Sequence, residues 1–181
     1  MATTIENLKE AIIGESTACA KYAAYASKAA QEGYPLIQKM FEAASKAERI
    51  HAANHTRVLV KLGGEPLCMD IEIKVGSTVE NLKDAVAGET YEFTDMYPPM
   101  VETAQAEGVK DAVRSFTWAL EAEKEHAALY AKALEQLEAG QKLDLPAKYY
   151  VCPLCGDTFA ADSAPDKCPL CGLPKEKYIE I

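Results

Sequence analysis

The sequence predicts an all-α protein of four long helices, with two short turns, one long crossover and a small metal-held unit at the end. Three observations carry this. Long stretches rich in Ala, Lys and Glu, apolar at helical spacing, are punctuated by Gly33, Gly63-Gly64 and Gly108. The first half of the chain is echoed in the second. Four of the six cysteines crowd into the last 30 residues as two Cys-x-x-Cys pairs.

The first helix runs from about Thr4 to Glu32, Pro-free, with Leu8, Ile12 and Cys19 at helical spacing, and Gly33 closes it. Pro35 opens the second, which reaches about Leu62 before Gly63-Gly64. From Glu65 to Thr78 the pattern loses helical character, as a crossover would, and Ser77 or Thr78 can cap the next helix. The third runs from about Val79 to Glu107, kinked or interrupted by Pro98-Pro99, and the fourth from about Val109 to Glu138. Residues 1–140 thus form the bundle, 141–149 a linker containing Pro146, and 150–181 the appended domain. So short a tail buries little core, so a metal is expected to hold it together.

The repeat is direct. Asn7-Leu8-Lys9-Glu10-Ala11 returns as Asn81-Leu82-Lys83-Asp84-Ala85 and Gly14-Glu15 as Gly88-Glu89, at an offset of 74. One inserted residue then makes the offset 75, matching Glu32 to Glu107, Phe41 to Phe116, Glu48 to Glu123 and His51 to His126. Two copies of a helical hairpin, related by an approximate two-fold, follow.

Each hairpin supplies one Glu from its first helix and a Glu-x-x-His from its second. Residues i and i+3 share a helix face, so each pair aims a carboxylate and an imidazole at one point. Glu15, Glu48, Glu89, Glu123, His51 and His126 therefore form the di-metal carboxylate set of ferritin-like bundles. Ala18 breaks the repeat, because its counterpart is Glu92, three residues after Glu89 and aimed into the same cavity. So much buried negative charge requires cations, and oxygen-rich ligation with one or two imidazoles suits iron or manganese better than structural zinc. Tyr22, two turns beyond Glu15, either bonds a ligand carboxylate or packs in the core, while Tyr97 lies in backbone too irregular for helical arithmetic. His55 is expected to pack or to support the site from outside, and Cys19 and Cys68 to be small buried hydrophobes.

Cys152, Cys155, Cys168 and Cys171 form a tetrathiolate set, able to bind iron or zinc. Each Cys-x-x-Cys-Gly turn can aim backbone N–H groups at sulfur. A net charge of −9 and a pI near 4.9 exclude a nucleic-acid partner. The N-terminus lacks the features of a signal peptide and no run is apolar enough to span a bilayer, which points to the cytoplasm.

Gly14-Glu15, Glu48-x-x-His51, Gly88-Glu89-x-x-Glu92, Met96-Tyr97-Pro98, Glu123-x-x-His126 and the two cysteine pairs together resemble the rubrerythrin family over essentially the whole chain. The resemblance implies a ferritin-like bundle with two non-haem irons, a rubredoxin-like domain with one iron held by four cysteines, and a peroxidase reducing hydrogen peroxide to water. It further implies electrons drawn from a reduced donor protein or reductase through the tail iron, and a head-to-tail homodimer in which that iron serves the partner. By matching positions, Glu48 and Glu123 are bridging carboxylates, Glu15 serves one iron, and Glu89 and His126 serve the other. Glu92 and His51 then exchange on the first iron, and Tyr22 and Tyr97 hydrogen-bond the ligands. Zinc or manganese could substitute. Two other readings use the same residues: a ferroxidase or iron-handling bundle, and a non-catalytic bundle with a zinc ribbon.

Overall fold

In the computed structural model, which describes residues 2–181, the helices are α1 (Thr4–Gln31), α2 (Pro35–Lys61), α3 (Thr78–Tyr91), α4 (Tyr97–Ala106) and α5 (Lys110–Glu138). α1 packs along α2, and α3 and α4 along α5, so two hairpins face each other across the bundle. Residues 65–77 form the crossover without regular structure. Among the described residues no helix is long and apolar enough to cross a membrane.

The repeat extends into the caps. Thr3 with Glu6 and Ser77 with Glu80 form matching capping boxes at the starts of α1 and α3. Beyond them the hairpins cap each other. Glu107, in the turn of the second, accepts the Thr4 N–H at 3.1 Å, and Glu32, its counterpart in the first, accepts the Thr78 N–H at 2.8 Å. A carboxylate at a helix N-terminus satisfies an orphan donor and meets the positive end of the dipole.

The interruption in the third helix lies before the prolines rather than at them. Glu92–Met96 is a π-helical segment, closed by the Tyr97 N–H donating to the Glu92 carbonyl. Such a turn holds one residue more than an α-turn. This is where the inserted residue that changes the repeat offset from 74 to 75 is absorbed. Pro98 falls in the first turn of α4, where its missing N–H costs no helical bond.

Two apolar clusters fill the bundle, and they too are related by the repeat. In one, Tyr22, Phe41 and Tyr130 have ring centroids 5.1–5.8 Å apart. In the other, Tyr97, Phe116 and His55 lie 5.2–6.0 Å apart. Cys19 is only half-buried beside Ser45, and Cys68 is exposed on the crossover, so neither is the buried hydrophobe expected; a segment without regular structure gives Cys68 no core to enter.

The tail is a three-stranded antiparallel sheet of order β2-β1-β3, with β1 Tyr149–Val151, β2 Thr158–Ala160 and β3 Ile179–Glu180. It carries two alike knuckles, in which Gly156 N–H donates to Cys152 O and Gly172 N–H to Cys168 O, both at 2.9 Å. Both glycines have positive φ, which the turn requires.

Candidate metal centre

α1, α2, α3 and α5 each bring ligands to the middle of the bundle. Glu15, Glu48, Glu89, Glu123, His51 and His126 are all buried. His51 Nδ1 lies 2.9 Å from Glu48 Oε2, 3.0 Å from Glu123 Oε1 and 3.6 Å from Glu15 Oε1. His126 Nδ1 lies 2.7 Å from Glu123 Oε2, 3.3 Å from Glu48 Oε1 and 3.8 Å from Glu89 Oε1. Glu48 and Glu123 thus turn one oxygen to each histidine, as carboxylates spanning two adjacent metal positions must. Two four-ligand sets share them: Glu15, Glu48, His51 and Glu123, and Glu48, Glu89, Glu123 and His126.

Glu92 stands outside both sets, on the Glu15 side. Burial, then the charges of Glu15, Glu123 and Glu48, raise its pKa well above the carboxylate range. Burial with Glu123 and Glu48 does the same to Glu89, and burial with Glu123 and Glu15 brings Glu48 to about 7. Against the effect of burial, Glu123 and Glu15 raise His51, and Glu123 and Glu48 raise His126 to about 10. Buried oxygens of Glu15, Glu48, Glu89, Glu92 and Glu123 have no hydrogen-bond partner. Five buried carboxylates with unpartnered oxygens, three of them pushed above their usual range, are what two divalent cations would satisfy, so the donor set fits a pair of iron ions.

The tyrosines support the ligands. Tyr97, buried, donates its hydroxyl proton to Glu15 Oε1. Tyr22 stands beside Glu89 and opposes the rise in its pKa. His55 bonds Tyr97 and Ser115, which places it behind the ligands, as expected.

The four tail sulfurs lie within 4.8 Å of one another, with Cys152–Cys171 and Cys155–Cys168 at 3.4 Å, spaced for one tetrahedral metal. The Cys155 side chain lowers the Cys152 thiol to about 5, aided by backbone N–H groups of Cys155 and Leu154 and opposed by burial. Asp157, the Cys171 turn and Leu173 give the other sulfurs similar N–H contacts.

The first knuckle rests directly on the bundle centre. Asn54 Nδ2 donates to Leu154 O at 2.8 Å, and a Cβ on Gly156 would fall 2.1 Å from His51 Nε2. Thr158 gives its hydroxyl proton to Gly156 O, so at 3.1 Å it accepts from His126 Nε2–H, leaving Nδ1 free for a metal. Sequence reasoning did not find Asn54, Ser115 or Thr158 as contributors, and placed Gly156 in its cysteine turn without its contact to His51. Ser115 had a signal, since its repeat counterpart is Met40.

A family model described as rubrerythrin matches residues 6–134, and one described as rubrerythrin, rubredoxin-like domain, matches residues 150–179. The chain belongs to the rubrerythrin family. It is 36% identical to Rubrerythrin-2 of Clostridium acetobutylicum over 98% of this chain and 96% of that one. It is equally 36% identical to nigerythrin of Nitratidesulfovibrio vulgaris, over 98% of this chain and 86% of the relative. The solved fully reduced, all-ferrous state of nigerythrin superposes with a TM-score of 0.88 at 37% identity, covering 100% of this chain and 88% of that one. The chain is accordingly a rubrerythrin-type di-iron protein with a rubredoxin-like domain, in a family of oxidoreductase character.

Proposed function

We propose that this rubrerythrin-family chain is a peroxidase that reduces hydrogen peroxide to water, with electrons returned through the four-cysteine centre. The observation that carries the reading is the seating of the Cys152–Gly156 knuckle against His51, with Thr158 bonded to His126. A ferroxidase bundle has no use for that contact. Two irons in the bundle would supply the electron pair that cleaves the O–O bond, and one iron at the four cysteines would return electrons singly.

The protein's part is to hold and orient. Glu48 and Glu123 would be shared by the two metal positions, with Glu15 holding one and Glu89 with His126 the other. His126 is the permanent imidazole, since Thr158 fixes its Nε2–H. His51 is the conditional one, exchanging with Glu92, because its Nε2 is buried without a partner. Glu92 opens the π segment, a backbone able to move its side chain. A head-to-tail homodimer would bring the same knuckle to the partner's bundle by exchanging tails, drawing on a reduced donor protein or reductase.

Full-length iron-loaded protein, reduced anaerobically and mixed with hydrogen peroxide, should consume it faster than it consumes oxygen and far faster than free iron does. A rate equal to free iron overturns the proposal. Colourless protein with zinc at the four cysteines would favour the zinc-ribbon reading, and manganese in the bundle would move the metal assignment alone.

A further inference from the structure

The two metal positions have different outlets. From Glu89 the polar groups run out within two residues: Tyr22 stands beside it, then Tyr130, whose buried hydroxyl has no partner, and Met40. Their repeat counterparts on the Glu15 side are Tyr97, His55 and Ser115. These three are hydrogen-bonded in series. Ser115 Oγ is 2.8 Å from His55 Nδ1, His55 Nε2 is 3.1 Å from the Tyr97 hydroxyl, and that hydroxyl bonds Glu15.

Donor counting gives the chain one direction. Glu15 accepts, so the single Tyr97 proton points to it; the Tyr97 oxygen then accepts from His55 Nε2–H, and the bare Nδ1 accepts the Ser115 proton. His55 and Tyr97 are fully buried, whereas Ser115 lines a surface cleft of about 280 Å³ together with Asn54, Arg57 and Trp118. Among the described residues, the groups behind Tyr97 thus make a hydrogen-bonded path from the cleft to the Glu15 position, whereas their counterparts behind Tyr22 make none to the Glu89 position.

We propose that Ser115, His55 and Tyr97 are a one-way proton wire from this cleft to the Glu15 position. The inference rests on the peroxidase reading for the use of the protons. Reducing one peroxide to two waters breaks the O–O bond and consumes two electrons, supplied by the reduced metal pair, and two protons. The wire supplies one of the two and solvent the other: the Tyr97 O–H bond breaks toward the Glu15 position, Tyr97 takes the Nε2 proton of His55, Nδ1 takes the Ser115 proton, and cleft water reprotonates Ser115, after which the hydroxyls turn and His55 regains its Nε2–H tautomer before the next turnover. No member need become charged. Tyr97 meets the ligand directly, and His55 and Ser115 act through it as positioning residues.

Two measurements on the full-length protein test this. In zinc-loaded, ¹⁵N-labelled protein, His55 should show a bare Nδ1 and a protonated Nε2, and Ser115→Ala should loosen that preference; a protonated Nδ1 in the wild type overturns the wire. In reduced iron-loaded protein, Ser115→Ala should slow oxidation by peroxide about tenfold, below the full effect of general acid catalysis, and change the solvent deuterium isotope effect. Ser115→Thr should restore both. Wild-type rate and isotope effect in Ser115→Ala overturn the wire with the peroxidase reading intact. If instead wild-type protein is no faster than free iron but His55 shows the expected tautomer, the peroxidase reading falls and the wire stands as a proton route to the Glu15 position.

Discussion

The two metal positions are the same structure written twice, and they differ in what stands behind them. Behind Glu89 and His126 lie Tyr22, Phe41, Tyr130 and Met40, and the imidazole is pinned through Thr158. Behind Glu15 and His51 lie Tyr97, His55 and Ser115, with Glu92 close by and an imidazole whose outer nitrogen meets only Gly156. The ligands stay symmetric because paired cations need matched donors. Their surroundings are free to diverge, and on the proposed function divergence is how one position becomes fixed and the other changeable.

The strongest way to break the comparison is to remove a residue that both positions share. Glu48→Ala should empty the whole bundle of iron while the metal at the four cysteines remains, measured by elemental analysis beside the visible spectrum. Next comes the contact on one side alone. Gly156→Ala must place a methyl into His51 from a backbone with φ of 86°, a conformation costing about 1–2 kcal/mol for any other residue. The expected outcome is a lower melting temperature of the tail and at least tenfold slower electron passage to the bundle, with peroxide oxidation of chemically reduced bundle iron little changed.

A smaller effect should fall on the opposite side. Thr158→Val removes the acceptor that holds His126 and should weaken metal binding about tenfold, the lower end for such supporting bonds, seen as earlier loss of one iron to a chelator. The smallest concerns the caps. Contacts with the Thr78 side chain and backbone N–H, then with Lys28, hold Glu32 at about 2, below its ordinary 4.5. A depressed carboxylate stabilises the fold above its unfolded pKa and loses that contribution as pH falls through the folded value. Glu32→Gln should therefore melt slightly lower than wild type at pH 7, with the gap closing between about pH 4.5 and 2.

Much of this was legible because helical spacing and the repeat act together. Glu48, His51, Glu123 and His126 are placed by i, i+3 arithmetic alone, and Glu92 by the flaw in the repeat. The change of offset announced an extra residue but not its form, because proline is the more familiar cause of an interruption than a π turn. His55 to Ser115 was out of reach, since the two lie 60 residues apart on different helices and only packing joins them. The seating of the knuckle on His51 was equally hidden, as it depends on how a ten-residue connection after Glu138 directs the tail.

The reciprocal caps carry a consequence for descent. Beyond its own capping box, each hairpin leaves one N–H of its first helix to the other: Glu32 accepts from the start of α3 and Glu107 from the start of α1. A single hairpin would be unfinished alone, yet two identical copies would complete each other, so a chain of half this length could close the same bundle as a symmetric pair. Such a pair must accept every change twice. Joined in one chain, the copies inherit separately, and a carboxylate, an extra residue in a turn and an imidazole backed by a hydroxyl could each be acquired by one of them while the other stayed as it was.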